Sequence, residues 1–388
     1  MFGLNVHSSR IKYFYGSRKK ILKRIIVSVT NDLVTDSRVH KVCISLTNLS
    51  FDVLLIGRKL PGSLPLKKRA YQTKRMKLLF KKGPLFYACY NMRLFCFLLF
   101  SKYEILLSND LDTLPANYLA SALRGKKLVL DSHEYFTEVP ELAARPRVKK
   151  IWKAIEKKII PKLKYAYTVC DSIAELYFSE YGVKFEVVRN IPERQGKIQI
   201  PGDKKINTSK KIILYQGAVN IGRGLPEVIS AMQYMENAVL VIIGTGDIIK
   251  EVKNQAHDLN LGGKVLFIGR IPAGEVKFYT AQADLGLSIE QDMGLNYRFA
   301  LPNKLFDYIA AGVPVMVSNL PEMAKLVGHY NIGKIINSHN PEELAKSLSH
   351  ALNNKELRKT WKTNLQKAAS ELTWEEEEKI LQRIFKNL

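Results

Sequence analysis

The chain has 388 residues, of which 46% are hydrophobic, so two globular domains are expected rather than one. Its four cysteines, Cys43, Cys89, Cys96 and Cys170, have no metal-binding spacing, which favours a reduced, cytosolic protein over a disulfide-stapled secreted one. No signal peptide is predicted, because no continuous apolar segment with a small-residue cleavage site follows the basic N-terminal residues.

The positive charge is concentrated in the first half of the chain. Residues 1–190 carry 35 Lys and Arg against 15 Asp and Glu, a net charge of +20, whereas residues 191–388 carry 25 against 21, a net charge of +4. Residues 53–103 contain 12 basic residues and no acidic one. This asymmetry predicts that the N-terminal half meets an anionic surface, for which membrane lipid and nucleic acid are both candidates.

The first half alternates short apolar strands with helices. Residues 25–29 and 51–57 have the composition of buried strands, and a helical apolar pattern runs between them from about Ser37. Such a βαβ unit pairs its strands in parallel. Further strands are predicted at residues 104–108, 127–130 and 184–188.

Residues 84–100 are apolar except for Asn91 and Arg93, and their apolar side chains recur at helical spacing. A core helix explains this pattern, and so does a helix whose aromatic edge enters a bilayer surface while nearby lysines contact lipid headgroups. A membrane span is disfavoured because the segment is short and carries a charge near its middle.

Polar residues follow the predicted strands. Asp110 and Asp112 form an Asp-x-Asp pattern after one strand, which can hold a metal but is common at strand ends. His133 and Glu134 follow the next strand, and Glu138 lies in the same loop. A core histidine or a cap would explain His133, but its place at the carboxyl end of a strand favours a ligand-facing role.

A polar segment, residues 193–210, gives the best domain boundary. After it, a glycine-rich loop at residues 216–225 lies between a predicted strand and a helix that begins near Pro226. Glycines let the backbone approach a phosphate, the helix N-terminus adds partial positive charge, and Arg223 can bind phosphate oxygens. The loop lacks the Gly-x-Gly-x-x-Gly fingerprint, so a nicotinamide cofactor is disfavoured.

Residues 288–315 join the end of another predicted strand to a short helix that stops at Gly312. Ligands of open α/β sheets bind where strands end and helices begin. Lys304 suits a phosphate there, and the carboxylates of Glu290 and Asp307 can accept hydrogen bonds from sugar or ribose hydroxyls. An ordinary surface loop with a capped helix is the alternative.

In this order, the motifs resemble retaining GT-B glycosyltransferases of family 4, of the bacterial glycan-assembly type. The resemblance covers nearly the whole chain and is strongest over residues 215–317. In the second half it is carried by residues 215–217, 223–225, 244–246, 267–269, 301–307 and 311–315, and in the first half by residues 34–41 and 131–138.

The resemblance implies an α/β chain with the GT-B fold, in which two Rossmann-like domains face a central cleft. Residues 1–192 would form the acceptor-binding domain and residues 193–373 the nucleotide-sugar-binding domain. The final helix, residues 374–388, would cross back onto the first domain.

The resemblance also implies roles for individual residues. His133 and Glu290 would be catalytic, near the donor sugar. The donor diphosphate would contact Gly217, Arg223, Gly224, Asn303 and Lys304, and the nucleotide with its ribose would contact Gly244, Arg270 and Asp307. The acceptor side would include Asn31, Asp32, Arg38, Glu134 and Glu138. In this chain Asp307 replaces the second Glu of the family's Glu-x7-Glu motif, and Glu290 lies further from it than that spacing gives.

The implied function is a metal-independent, hexosyl-type transfer, with retention, from a nucleotide-sugar of unknown base to a lipid-linked or polysaccharide hydroxyl in cell-envelope glycan synthesis. No cofactor or metal is expected. The basic half predicts peripheral binding to the inner, cytoplasmic face of the membrane, and no nucleic-acid partner is expected because no such module is readable. The alternatives are a GT-B nucleotide-sugar epimerase, a non-catalytic sugar binder, and a non-enzymatic basic protein that binds membrane or nucleic acid.

Overall fold

A computed structural model describes residues 22–388, except residues 35, 140, 141, 143, 144 and 197. Two parallel β-sheets organise these residues. The first contains seven strands in the order β3-β2-β1-β4-β5-β6-β7, and the second contains six in the order β10-β9-β8-β11-β12-β13. The α/β prediction is therefore confirmed. The predicted boundary at residue 193 falls in the segment between the two sheets.

The strands of the first sheet are β1 (Arg24–Asp32), β2 (Asp52–Lys59), β3 (Gln72–Lys77), β4 (Ile105–Asn109), β5 (Lys127–Ser132), β6 (Tyr165–Thr168) and β7 (Glu186–Val187). The helices described in this half are α1 (Ser37–Asn48), α2 (Gly83–Phe100), α3 (Asp110–Arg124), α4 (Pro146–Ile159) and α5 (Asp171–Tyr181).

The second sheet consists of β8 (Lys211–Gln216), β9 (Ala238–Ile243), β10 (Val265–Gly269), β11 (Leu285–Ser288), β12 (Val315–Ser318) and β13 (Gly333–Ile336). The helices around it are α6 (Leu225–Ala231), α7 (Ile249–Asp258), α8 (Ala273–Thr280), α9 (Leu295–Arg298), α10 (Asn303–Ala310), α11 (Pro321–Tyr330), α12 (Pro341–Asn353) and α13 (Lys355–Glu371). The last helix is α14 (Trp374–Lys386).

The central strands are apolar on both faces because each face packs against helices. In β1, Ile26 belongs to one hydrophobic core, whereas Ile25 and Val27 belong to another on the opposite face of the sheet. Parallel sheets covered on both faces have such continuous apolar strands. This is why the short apolar runs predicted strands correctly. The polar edge strand β3 was not predicted, because only Met76 of it is buried.

Both sheets reverse their strand order beside the first strand of the domain. The chain moves from β1 out to β3 and returns to β4 on the other side of β1, and the second sheet does the same between β8 and β11. Ligands of open α/β sheets bind beyond the carboxyl ends of the strands at such a switch point. The two switch points therefore predict where a ligand site lies in each domain.

The C-terminal helix α14 packs against the first domain, as predicted. Trp374, Leu381 and Phe385 are buried in the same core as β1 and α1. Trp374 Nε1 donates a hydrogen bond to Ser45 Oγ over 3.0 Å, and Glu377 pairs with Arg189 at 2.6 Å. The last helix is thus tied to the first domain, although it follows the second domain in the chain.

Helix α2 is partly core and partly surface. By length and composition it is the one candidate membrane span among the described residues. Within the structure, 22% of its residues are buried. The buried face carries Phe86, Tyr90, Leu94 and Leu98. The opposite face is exposed, with Leu85 60% and Met92 66% accessible. The core and surface interpretations of this helix each describe one of its faces.

Candidate active site

A cleft of about 570 Å³ lies between the domains, at the carboxyl ends of both sheets. It opens at both switch points, where the sheet topology predicts ligand binding. From the first domain it is lined by residues that include Asn31, Asp36, Ser37, Arg38, His133, Glu134 and Asn190, and from the second by residues that include Tyr215, Gln216, Gly217, Arg223, Asn296, Phe299, Asn303 and Lys304.

On the second domain, two cations share one carboxylate. Lys304, in the first turn of α10, places Nζ 2.8 Å from Oε1 of Glu290, and a terminal nitrogen of Arg223 lies 3.4 Å from the same oxygen. Ser288 Oγ donates to the other oxygen of Glu290 over 2.9 Å. These three charged residues, Arg223, Glu290 and Lys304, form the C-terminal charge cluster, and their formal charge is +1.

Burial and ion pairing act against each other in this cluster. Burial would raise the pKa of Glu290, but Lys304 and Arg223 outweigh it and lower that pKa, so the carboxylate stays charged. The Glu290 side chain is 0% exposed, whereas Arg223 retains 28% of its side-chain surface. Because the carboxylate is enclosed and both cations line the cleft, the cluster presents positive charge to it.

Glu290 itself does not line the cleft. The residue eight positions before Asp307, where the family's Glu-x7-Glu spacing would place the first Glu, is Phe299, which does line it. The position of Glu290 suits a residue that orients two cations. Its predicted contact with the donor sugar stays a prediction.

The glycines of the loops after β8 and β9 are required by close backbone approach. A Cβ on Gly244 would lie 1.9 Å from the carbonyl oxygen of Gly217, and a Cβ on Gly224, whose φ is 72°, would lie 2.3 Å from that of Ile289. Of these three glycines, Gly217 lines the cleft. The others hold the loops against each other and so set the position of Arg223.

Asp307 reaches the cleft only through another side chain. Its carboxylate accepts a hydrogen bond from Gln216 Nε2 at 2.9 Å, and Gln216 lines the cleft. Burial raises the pKa of Asp307 to about 6, against the opposing effects of Lys41 and Gln216. Arg270 is exposed just beyond β10 and is not a lining residue of the cleft. The ribose contacts predicted for both residues remain predictions.

On the first domain, four charged groups form a continuous chain. Arg38 pairs with Asp131 at 2.7 Å, and the two ring nitrogens of His133 lie 3.2 Å from Asp131 and 3.2 Å from Asp110. The backbone N–H of His133 also donates to Asp110 over 2.8 Å. Arg38, Asp131, His133 and Asp110 form the N-terminal charge cluster, which brings together α1, the end of β5 and the start of α3.

The charges of this cluster fix the protonation of His133. Burial would lower the pKa of His133, but Asp110 and Asp131 outweigh it and raise that pKa to about 9. Burial likewise opposes the ionisation of Asp131, but Arg38 and His133 lower its pKa to about 2. His133 is therefore an imidazolium at neutral pH, with each ring nitrogen facing a carboxylate. Its predicted place beside the cleft is found, but in this state it cannot accept a proton.

The other acceptor-side residues divide into two groups. Asn31 lines the cleft. Asp32 turns away from it and pairs with Arg75 at 3.5 Å, and Glu138 pairs with Lys149 at 2.7 Å. Neither Asp32 nor Glu138 lines the cleft. Their predicted acceptor contacts have no support from this geometry and stay predictions.

Asn296 joins the two domains and was missed by the sequence analysis. Its Nδ2 donates to Glu134 over 3.1 Å, and its Oδ1 accepts from the backbone N–H of Tyr135 at 3.2 Å. A signal for it exists in the sequence, since it lies in the stretch between Glu290 and Asp307 that is longer than the family motif.

A protein metal site needs several ligating side chains close together. Among the residues with described positions, no three of the types His, Cys, Asp or Glu could together hold a metal ion. The expectation that no metal is used stays a prediction.

Comparisons with known proteins agree with this architecture. Residues 197–368 match the family described as glycosyl transferases group 1. A sucrose-phosphate synthase from Thermosynechococcus elongatus superimposes with a TM-score of 0.76 at 16% identity, covering 94% of this chain and 98% of the other. The chain has the GT-B fold. Anabaena Alr3699/HepE in complex with UDP-glucose is also similar, with a TM-score of 0.70 at 14% identity over 94% of this chain and 100% of the other.

Curated sequences match a shorter part of the chain. The alpha-monoglucosyldiacylglycerol synthase of Streptococcus pneumoniae is 25% identical over 200 residues, which is 51% of this chain and 40% of that protein. The chain spans about half the length of the curated relatives it matches, between 40% and 54% for three of them.

Proposed function

We propose that this protein is a glycosyltransferase that moves a sugar from a nucleotide-sugar to a hydroxyl of a lipid-linked or polysaccharide acceptor. The observation that carries the proposal is the C-terminal charge cluster, in which Arg223 and Lys304 share the single carboxylate of Glu290 at the wall of the interdomain cleft. Its surplus positive charge suits the diphosphate of a nucleotide-sugar.

The proposed reaction uses this charge on the leaving group. The acceptor hydroxyl oxygen forms a bond to the anomeric carbon while the bond from that carbon to the diphosphate breaks. The bonding electrons move to the diphosphate oxygen, where Arg223 and Lys304 stabilise the negative charge. In the proposed reaction the anomeric configuration is retained. The same diphosphate oxygen then takes the proton of the acceptor hydroxyl, so no protein base is needed.

Arg223 and Lys304 supply the charge compensation that a divalent metal would otherwise provide, so transfer is proposed to be metal-independent, with a hexose as the sugar. The imidazolium of His133 adds a positive group at the opposite wall, near the donor sugar. Gln216, the last residue of β8, lines the cleft beside the charge cluster and would contact the nucleoside, and Asp307 would act through its hydrogen bond with Gln216.

The proposals for the acceptor and for the cellular location rest on the surface properties of the first domain. Its basic charge and the exposed apolar face of α2 suit an anionic membrane, at the inner face of which the protein would act in cell-envelope glycan synthesis. The name of the Streptococcus pneumoniae relative describes a synthase of a glucosylated diacylglycerol, which is a lipid. The same cationic surface is proposed to bind membrane and not nucleic acid.

A panel of UDP-, GDP-, ADP- and CMP-sugars tests the donor site by thermal shift, because a ligand that binds the native state raises its melting temperature. We expect one nucleotide class to stabilise the protein. Arg223→Gln should weaken that ligand roughly tenfold to a hundredfold, since hydrogen bonds to charged groups contribute about 1.5–3 kcal/mol. The exposed lysine variant Lys253→Gln should bind normally. The absence of a shift with every donor, or an equal shift in the Arg223 variant, would contradict the proposed donor site.

A further inference from the structure

A second cavity, of about 980 Å³, extends into the first domain from the interdomain cleft. The two spaces share Asn31, Asp36, His133 and Glu134 at their junction. This side cavity is larger than the cleft itself. None of the roles proposed above occupies its far part.

One wall of the side cavity is apolar. It is formed by the first turns of α2 and by one face of α4. The rings of Tyr87 in α2 and Trp152 in α4 pack edge to face, with their centroids 5.1 Å apart. Ile151 on the same wall is 59% exposed. The apolar side chains of this wall include Phe86, Tyr87, Val148, Ile151, Trp152 and Ile155. A wall of this kind suits a hydrocarbon chain better than a sugar.

The rim next to that wall carries four cationic side chains. Arg58, Lys81, Lys82 and Arg145 line the cavity, and within the described part of the chain none of them forms an ion pair. The Arg58 guanidinium stacks 4.8 Å from the ring of Phe86, and its buried Nε has no hydrogen-bond partner there. Cations that have no ion pair with any residue placed by the structure, beside an apolar wall, match an anion that is joined to a hydrocarbon.

The positions of these groups relative to the sheet place cations at one end of the cavity and carboxylates at the other. Arg58 follows the buried part of β2, and Lys81 and Lys82 immediately precede α2, whereas the acids Asp110 and Glu134 lie after β4 and β5. Since β1 separates β2 from β4, and neighbouring strands are about 4.8 Å apart, the cationic and acidic ends lie on the order of 10 Å from each other. The acidic end suits hydroxyl groups, because carboxylates accept their hydrogen bonds.

We propose that the side cavity binds the acceptor, and that this acceptor is an amphiphile in which a hydrocarbon chain is linked through a phosphate to a short hydroxylated head. The chain lies on the α2–α4 wall, the phosphate contacts Arg58, Lys81 and Lys82, and the head reaches the junction with the cleft. This inference rests on the proposed function, because it takes the cleft to hold the donor.

The test measures binding of dodecyl phosphate, kept below its micellar concentration, to the full-length protein by calorimetry without any donor. Dodecyl maltoside and inorganic phosphate are the controls for the chain and the anion alone. We expect dodecyl phosphate to bind at least about tenfold more tightly than either, because it alone joins both groups. Equal affinity for the neutral amphiphile would overturn the phosphate site.

Two variants locate the binding. Lys81→Ala/Lys82→Ala and Ile151→Asp should each weaken dodecyl phosphate about tenfold or more, the second by placing a negative charge on a partly exposed wall position. Lys67→Ala/Lys68→Ala removes the same charge from exposed lysines outside the cavity and should bind as the wild type does. Equal loss in both double variants would show a diffuse charge effect and refute the site.

Vesicles of phosphatidylglycerol separate an acceptor site from general membrane docking. If Lys81→Ala/Lys82→Ala loses vesicle binding but keeps its affinity for dodecyl phosphate, those lysines serve docking and the inference is wrong. Failure of the proposed function is distinguishable, because it appears as absent nucleotide-sugar binding, which this experiment does not use. Normal transfer to a non-lipid acceptor with no binding of dodecyl phosphate would refute the inference alone.

Discussion

The two walls of the cleft are built from buried charges in different proportions. The N-terminal charge cluster has two cations, Arg38 and the imidazolium of His133, for two carboxylates, so its formal charge is zero. The C-terminal cluster has two cations for one carboxylate. Buried charge is costly unless it is paired, so a balanced cluster is complete by itself, whereas a surplus charge suits a ligand of opposite sign. The proposed diphosphate site therefore fits the second wall, whereas the charges of the first wall compensate each other.

The largest effect is expected from removing a cation of the unbalanced cluster. Lys304→Met leaves Glu290 buried with only the more distant Arg223, and breaking a buried pair in this way costs about 3–5 kcal/mol of stability. It should also lower the turnover number about 10²- to 10³-fold, as loss of one group that stabilises developing charge does elsewhere. Urea unfolding and a transfer assay measure the two effects.

A double variant separates these effects. Lys304→Met/Glu290→Gln removes the unpaired carboxylate along with the cation, so most of the lost stability should return while turnover stays low. Recovery of turnover together with stability would mean that Lys304 acts only as a structural partner of Glu290, and would remove the basis for the difference between the walls.

The balanced cluster predicts a pH-dependent stability. The folded protein holds the His133 proton up to a pKa of about 9, whereas its ordinary value is 6.5. The stabilisation from this charge is therefore complete below pH 6.5 and is lost as the pH rises through 9. One pKa unit corresponds to about 1.36 kcal/mol, so the loss amounts to about 3 kcal/mol.

His133→Gln checks this window by urea unfolding at pH 6 and pH 9.5. Because other groups titrate in the same range, the quantity of interest is the difference in unfolding free energy between wild type and variant, which should shrink by about 3 kcal/mol at the higher pH. His257→Gln changes an exposed histidine and should leave the profile unaltered. A difference that stays constant with pH would show that His133 is not an imidazolium held by Asp110 and Asp131.

Sequence patterns predicted the fold and several of the residues that line the cleft, because both depend on local features. Apolar runs gave the buried strands, and the loops and helix starts that follow them gave Gly217, Arg223, His133 and Lys304, which line the cleft. The ion pairs that these residues form were not predictable from the sequence. Glu290 pairs with Arg223 across 67 positions of the chain, and the charge of His133 depends on Asp110, which lies 23 positions earlier. Only the packing of separate elements brings these groups together.

The misplaced side chains have a physical cause as well. Asp32 and Glu138 lie close in sequence to residues that do line the cleft, but neighbouring side chains point in different directions from a strand end or a tight turn. Asp32 forms an ion pair with Arg75, and Glu138 forms one with Lys149. Proximity in sequence therefore identified the edge of the sheet but not which side chains face the cleft.

The smallest expected effect concerns the contact between the two walls. Asn296 makes two hydrogen bonds to the first domain, and such bonds contribute about 1 kcal/mol each in net terms. Asn296→Ala should lower stability by about 1–2 kcal/mol and widen the cleft, which small-angle scattering detects as a larger radius of gyration. Asn364→Ala removes a hydrogen bond to Asn331 within the second domain and should leave that radius unchanged. If both variants scatter alike, other contacts, such as those of α14, hold the two walls at their spacing. The wall that carries the N-terminal charge cluster is then positioned independently of Asn296.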